Sequence, residues 1–200
     1  MAQAIAQGSE FYRSKFSAAN FMEQTLTGKV FEECDFKNCN FAAVNLARCK
    51  FVNCGFEGCD FSNMTVPESK FMNVSFEECK LSGVDWTRAE WSAFPKFPHL
   101  QFHRCILSQS SFFGLTLEQL VLVDCKAHEV DFRQGNFSRG NFTRSDLARS
   151  RFCRTCLMEA DFTDASNYDV DLRNNEIRWS KFSRQEALRL LYSFEIELVD

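Results

Sequence analysis

This chain of 200 residues lacks the features that mark several common functional classes. The motifs GxxxxGK(S/T), GxGxxG, HExxH and GxSxG are absent, and the three histidines have no spacing typical of metal ligands. No apolar run reaches the eighteen residues of a membrane-spanning helix, and the start MAQAIAQGSE is not typical of a secretory signal. The net charge of −4 argues against general nucleic-acid binding. We therefore expect a non-enzymatic, cytoplasmic protein without cofactor, metal, membrane association or direct nucleic-acid binding.

Glycine and proline are also scarce, at 8 and 3 residues, whereas phenylalanine is unusually abundant at 23. A large apolar residue returns at every fifth position, most regularly at Phe31, Phe36, Phe41, Leu46, Phe51, Phe56 and Phe61. A period of five fits neither a helix nor a half-buried strand, so it indicates a repeat with these residues as core centres. The phase runs over residues 11–182 with an interruption at 92–101, and its weak members are Ala127 and Asn167.

A second column of small residues lies two positions before each centre. Eight of the ten cysteines occupy this column, so their spacing is explained by packing rather than by disulfides or zinc. The one CxxC pair, Cys153 and Cys156, lies at non-equivalent repeat positions, and we expect neither zinc binding nor redox chemistry there. One large and one small inward position per repeat predict a chain that turns a corner every five residues around a narrow interior.

The triplets CDF, CNF, VNL, VDF, SDL and ADF, which end at centres, resemble the A(D/N)Lxx motif of pentapeptide repeat proteins. The resemblance implies an all-β solenoid, a right-handed quadrilateral β-helix, with about eight coils of twenty residues. It divides the chain into an N-terminal lead-in at 1–10, the β-helix at 11–182 and a C-terminal helix and tail at 183–200. Stacking at about 4.8 Å per coil predicts a rod about 40 Å long.

The segment 183–200 has a different pattern from the repeats. Ser183, followed by Glu186, reads as a capping box that starts a short helix, and an extended tail with one apolar side follows. We expect a two-fold homodimer contact through Leu188, Leu191, Phe194, Ile196 and Leu198. The alternative is an intramolecular cap on the last coil.

Acidic residues are concentrated at the same end, where residues 159–200 contain five basic and ten acidic side chains. By contrast, Arg139, Arg144, Arg149 and Arg154 step by five and should form a belt around one coil. The candidate partner-binding acidic residues are Asp161, Asp164, Asp169, Asp171, Glu176 and Glu195.

The segments GVDWTRAEW at 83–91 and RCILSQSSFFGL at 104–115 are most similar to the albicidin-resistance members of the pentapeptide repeat family. These belong to a subgroup, with the Qnr quinolone-resistance and microcin B17 immunity proteins, that binds DNA gyrase and topoisomerase IV. The resemblance implies a homodimeric DNA mimic that protects gyrase, and also topoisomerase IV, from a poison. Qnr proteins carry longer projecting loops, whereas the single candidate projection here is 92–101. The alternative is a non-enzymatic scaffold or effector that binds another protein.

Overall fold

The structure, a computed structural model, describes residues 8–92 and 98–194 and is a parallel β-solenoid. The strands are β1 Glu10–Tyr12, β2 Lys15–Ser17, β3 Thr25–Thr27, β4 Val30–Glu32, β5 Asp35–Lys37, β6 Asn45–Ala47, β7 Lys50–Val52, β8 Gly55–Glu57, β9 Lys70–Met72, β10 Val74–Glu77, β11 Leu100–His103, β12 Val121–Val123, β13 Asp161–Phe162 and β14 Lys181–Phe182. A 3₁₀ helix spans Trp86–Arg88, and the C-terminal segment contains helix α1 at Arg184–Ala187 followed by a 3₁₀ helix at Leu188–Phe194. None of the described helices is long and apolar enough to cross a bilayer.

Successive repeats follow four sides of the solenoid, so the predicted fold class is confirmed. Face 1 contains β1, β4, β7 and β9, and face 2 contains β2, β5, β8 and β10 to β14. Face 3 is joined by single bridges such as Asn40 to Asp60, and face 4 contains β3 and β6 and continues through bridges such as Asp131 to Arg151. Each strand pairs in parallel with the one a coil later, as Phe31 does with Phe51.

The interior is filled by stacked rings. The seven most regular centres are between 1% and 3% exposed. Rings on one face stack, with centroids 4.6 Å apart and planes 4° apart for Phe41 and Phe61. Rings on adjoining faces meet edge-on, as Phe56 and Phe61 do at 5.0 Å and 86°. Both geometries are favoured by the aromatic quadrupole, so the narrow interior is packed in two directions at once.

The corners follow a backbone rule that the sequence pattern does not reveal. The residue two positions after most centres adopts left-handed φ, as Asn38, Ala43 and Asn53 do at 53°, 54° and 52°, whereas Arg88 lies in the 3₁₀ helix that follows Trp86. This conformation normally favours glycine because a Cβ approaches the following carbonyl oxygen. The neighbouring coil compensates by satisfying the corner backbone, since the Asn38 N–H donates to the Glu57 carbonyl oxygen at 2.8 Å.

Two irregularities change the coil length. Across the interruption Phe76 pairs with Phe102, twenty-six residues later, so six residues are inserted rather than one. Strand β11 begins at Leu100, inside the expected interruption, and residues 93–97 lie outside the described residues. Near the C-terminus Phe152 bridges Val170, eighteen residues later, while Asp146 and Cys156 keep bridges at a spacing of twenty, so the shift of two residues is confined to face 4. The weak centre Asn167 was therefore wrongly predicted: it turns a corner at φ 57°, and Tyr168 enters the core at 1% exposed.

The small-residue column carries hydrogen bonds as well as packing. Cys39, Cys59, Cys79 and Cys105 each donate a backbone N–H to the sulfur one coil later, at 3.3 to 3.4 Å. Buried hydroxyls take the same place elsewhere: Ser69 Oγ accepts from the Cys49 N–H and donates to the Leu46 carbonyl oxygen, both at 2.7 Å. The column therefore links consecutive coils through side chains of similar size.

Candidate partner-binding surfaces

The predicted acidic residues do not form one patch. Asp161 and Asp164 lie on face 2, Asp169 and Asp171 flank Val170 at the start of face 4, and Glu176 lies on face 1. They surround the last coils, because four successive repeats point in four directions. Glu195 lies outside the described residues.

Cations lie beside three of these carboxylates. The Asp161, Asp171 and Glu176 oxygens lie 3.4, 3.1 and 3.8 Å from nitrogens of Lys181, Arg173 and Arg178. Burial opposes ionisation of Asp161, but hydrogen bonds from Thr163 and Lys181 outweigh it and hold its pKa below the usual value. Hydrogen bonds from Arg173 likewise lower the pKa of Asp171. Among the described residues, Asp164 and Asp169 remain without an ion pair.

Ion pairs along the rod axis are a feature that counting charges in linear windows missed. Stacking brings residues twenty positions apart into contact, and cation–carboxylate distances are 2.6 Å for Arg13 and Glu33 and 2.7 Å for Lys37 and Glu57. The predicted arginine belt follows the same rule: Arg139, Arg144 and Arg149 bind Glu118, Asp124 and Glu129 of the preceding coil. Opposite charges at a spacing of twenty were the signal that could have revealed these pairs.

The C-terminal segment packs on the last coil but leaves apolar side chains exposed. Leu190, which was not among the predicted contacts, is 8% exposed and joins the core, because the chain changes from helix α1 to a 3₁₀ helix at Leu188. Leu188 and Phe194 are 51% and 46% exposed, and Leu191 is half-buried. Ile196 and Leu198 lie outside the described residues.

The expected capping box does not form. Ser183 precedes helix α1 in an extended conformation, but its side chain makes no cap hydrogen bond. Its Oγ instead accepts from the Asp164 N–H at 2.7 Å and donates to Asp164 Oδ1 at 3.0 Å. Glu186 binds Arg189 at 2.6 Å. The serine therefore anchors the helix to the last coil rather than capping it.

The edge of the six-residue insertion contains a buried histidine. His99 is 3% exposed. Its Nδ1 lies 3.0 Å from the Phe71 carbonyl oxygen, and its Nε2 lies 3.1 Å from the Ser92 carbonyl oxygen. The ring packs edge-on against Trp91 at 5.3 Å. His99 thus joins both sides of the insertion to face 1.

The repeat pattern and the fold both resemble those of known proteins. A family model described as pentapeptide repeat region matches residues 29–95, and one described as pentapeptide repeats matches residues 128–164. The chain belongs to the pentapeptide repeat family. A search of curated protein sequences gave no match.

Solved structures of similar fold span nearly the whole solenoid. Trypsin-treated QnrB1, a plasmid-mediated fluoroquinolone resistance protein, has a TM-score of 0.58 and 18% identity over 97% of this chain and 100% of that one. Full-length QnrB1 has a TM-score of 0.57 and 17% identity over 94% and 100%. HetL, a pentapeptide repeat protein from the cyanobacterium Nostoc sp. strain PCC 7120 involved in heterocyst differentiation regulation, has a TM-score of 0.43 and 16% identity over 89% of each chain. At these identities the likeness concerns the fold.

Proposed function

We propose that this protein is a homodimeric, non-enzymatic binder of bacterial DNA gyrase, and also of topoisomerase IV, that protects its target from a topoisomerase poison. It acts by presenting a stiff, negatively charged rod in place of DNA. The proposal rests on the family resemblance and on the charge of the solenoid faces. It also extends to this chain a resistance role like that for which QnrB1 is named.

The observation that carries the proposal is the charge of face 2, the longest continuous sheet of the rod. Its outward cations are Lys15, Lys37, Arg104, Arg144 and Lys181. Its outward carboxylates are more numerous: Asp35, Glu57, Glu77, Glu78, Asp124, Asp161 and Asp164. A rigid surface with spaced negative charge attracts a basic DNA-binding groove and speeds encounter with it.

The C-terminal segment supports the dimer. Leu190 fixes the 3₁₀ helix on the last coil while Leu188 and Phe194 remain exposed. Apolar side chains held outward on an anchored segment favour burial against the same segment of a second copy. Two such copies would place Asp164 and Asp169 of both chains near the middle of a longer rod.

The axial ion pairs favour the second candidate, a scaffold that binds another protein. Because 11 of the 23 cations lie beside a carboxylate of the adjoining coil, the negative field is weaker than the count of acidic residues suggests. A scaffold of this kind would recognise its partner by shape and specific contacts. It would not depend on unpaired acidic residues.

Supercoiling by purified gyrase, titrated with this protein with and without albicidin or a quinolone, tests the proposal. We expect supercoiling to be restored in the presence of the poison. A double Asp164→Asn, Asp169→Asn variant removes two carboxylates that lack an ion pair and should weaken protection. The matched control is Glu33→Gln with Glu90→Gln, which removes two paired carboxylates from face 1. Absence of both gyrase binding and protection would refute the proposal, and recovery of a different partner by pull-down would favour the scaffold.

A further inference from the structure

Face 4 departs from the one-to-one pairing of the other faces in its C-terminal half. From the coil of Phe112 onward its outward arginines are Arg133, Arg151, Arg154 and Arg173. The outward carboxylates of the same coils are Asp131, Asp169 and Asp171. This stretch therefore carries a surplus of one positive charge on a protein whose net charge is −4.

One carboxylate is shared by two of these arginines. Asp131 Oδ2 lies 2.7 Å from Arg133 Nη2 and 3.1 Å from Arg151 Nη2, and the Asp131 side chain is 12% exposed. The two arginine side chains are 39% and 58% exposed. Arg154 is exposed and makes no ion pair with any residue that the structure describes. Arg133 and Arg151 therefore use only part of their donors on the carboxylate that they share.

An exposed aromatic ring adjoins the arginines. Phe113 is 40% exposed and lies one coil before Arg133 on the same face, since Ser111 bridges Asp131. The Arg133 guanidinium carbon lies 5.6 Å from the centre of the Phe113 ring. An apolar ring beside exposed guanidinium groups, two of which share one carboxylate, forms a surface that offers both a hydrophobic contact and further hydrogen-bond donors.

We infer that the face-4 patch, formed by Phe113, Arg133, Arg151, Arg154 and Arg173, binds a short acidic segment of a partner protein. Carboxylates of the segment would bind the arginines, and an apolar or aromatic side chain would cover Phe113. From Phe113 to Arg173 the patch spans three coil steps, or about 14 Å, which an extended peptide covers with about four residues. The inference does not depend on the partner proposed above.

The surroundings of the patch favour a peptide over nucleic acid. Asp131 and Asp171 lie within the patch, and face 2 carries more carboxylates than cations. A duplex is a long polyanion whose affinity depends on many phosphate contacts, and it would extend beyond the patch toward these negative charges. A short acidic peptide needs only the local surplus of positive charge on face 4.

The test uses the full chain and three fluorescent probes: a decapeptide with four glutamates around one tryptophan, its glutamine counterpart, and a short DNA duplex. Binding is measured by fluorescence anisotropy at two salt concentrations. We expect the glutamate peptide to bind about tenfold more tightly than the glutamine peptide, with an affinity that falls as salt screens the charges. Equal binding of the two peptides, or tighter binding of the duplex, would overturn the inference.

Variants locate the site. A triple Arg133→Gln, Arg151→Gln, Arg154→Gln variant should lose about tenfold in affinity for the glutamate peptide, and Phe113→Ser should weaken binding through the apolar contact. The matched control is Arg13→Gln, Lys37→Gln, Arg144→Gln, which removes the same charge from faces 1 and 2. Circular dichroism verifies that each variant is folded. An equal loss in the control would show that net charge, rather than face 4, binds the peptide.

Discussion

Removal of one buried hydroxyl should measure how strongly the inward column ties the coils together. Ser69 is 0% exposed and lies directly above Cys49 in the column. Its Oγ accepts from the Cys49 N–H and donates to the Leu46 carbonyl oxygen, each at 2.7 Å. In a Ser69→Ala variant both hydrogen bonds disappear, because a methyl group neither donates nor accepts.

The expected magnitude follows from these contacts. Leaving a buried donor unsatisfied costs about 1 to 3 kcal/mol, so we expect the free energy of unfolding to fall by about 2 kcal/mol. For a chain of this size that corresponds to a decrease in Tm of about 4 to 8 °C. Because each coil contacts only its neighbours, hydrogen exchange should increase first at the coils of Leu46 and Ser69.

Ser69→Cys is the matched control. Cysteine already performs this role one coil earlier, where Cys49 Sγ donates to the Leu26 carbonyl oxygen at 3.3 Å. We therefore expect the cysteine variant to stay within about 1 kcal/mol of wild type, since the hydrogen bonds are remade by a weaker donor. Chemical denaturation of the three proteins gives the comparison. If the alanine variant is as stable as wild type, the column contributes packing only and the reasoning about its hydrogen bonds is wrong.

Three further predictions follow from exposure and charge. Phe194→Asp should yield a monomer with weaker gyrase binding, and an unchanged mass by light scattering would contradict the dimer. In the native protein an alkylating reagent should modify Cys153 and Cys156 before the eight buried thiols. Burial shields those eight thiols from the reagent, and it raises the pKa of Cys54, one of them, to about 12. Mass spectrometry after brief labelling identifies the modified sites. Asp131→Asn should destabilise the protein near pH 7. Burial alone would raise the pKa of Asp131, but its hydrogen bonds with Arg133 outweigh burial and lower it. The stabilisation by Asp131 is therefore present above the ordinary pKa of aspartate and is lost as the pH falls through the lowered pKa. Denaturation curves of the wild type and the variant should converge at low pH.

The repeat period made the fold predictable, because an inward residue every five positions admits few arrangements. Coil length was predictable only where the period is regular. The six inserted residues equal one repeat plus one residue, so the five-residue phase shifts by only one position. Phe102 then occupies the centre expected for the next face. The shift near Asn167 could not be predicted, because the repeat period places Asn167 itself in the core. In the structure the corner lies two residues earlier, at Asn167, and Tyr168 enters the core instead.

The surfaces were less predictable because neighbours on a solenoid are twenty residues apart in sequence. A window of acidic residues at 159–200 suggests one negative region, but successive repeats distribute the described candidates over faces 1, 2 and 4. The positive surplus of face 4 was likewise hidden, because Arg154 was grouped with Arg139, Arg144 and Arg149, which lie on other faces and bind carboxylates. Face assignment therefore has to precede any count of charge.

The two binding proposals require opposite charges of the same rod, so charge changes can separate them. Removing the positive charges of Arg133, Arg151 and Arg154 makes the rod more negative. Its attraction to a basic topoisomerase groove should then be unchanged, or stronger at low salt, whereas binding of the acidic peptide should be lost. Removing the carboxylate of Asp164, which lies on face 2, should have the reverse effect. Measuring both activities on both variants gives a crossed pattern if face 4 and the acidic faces act independently. Parallel loss in every variant would mean that a single surface serves both partners.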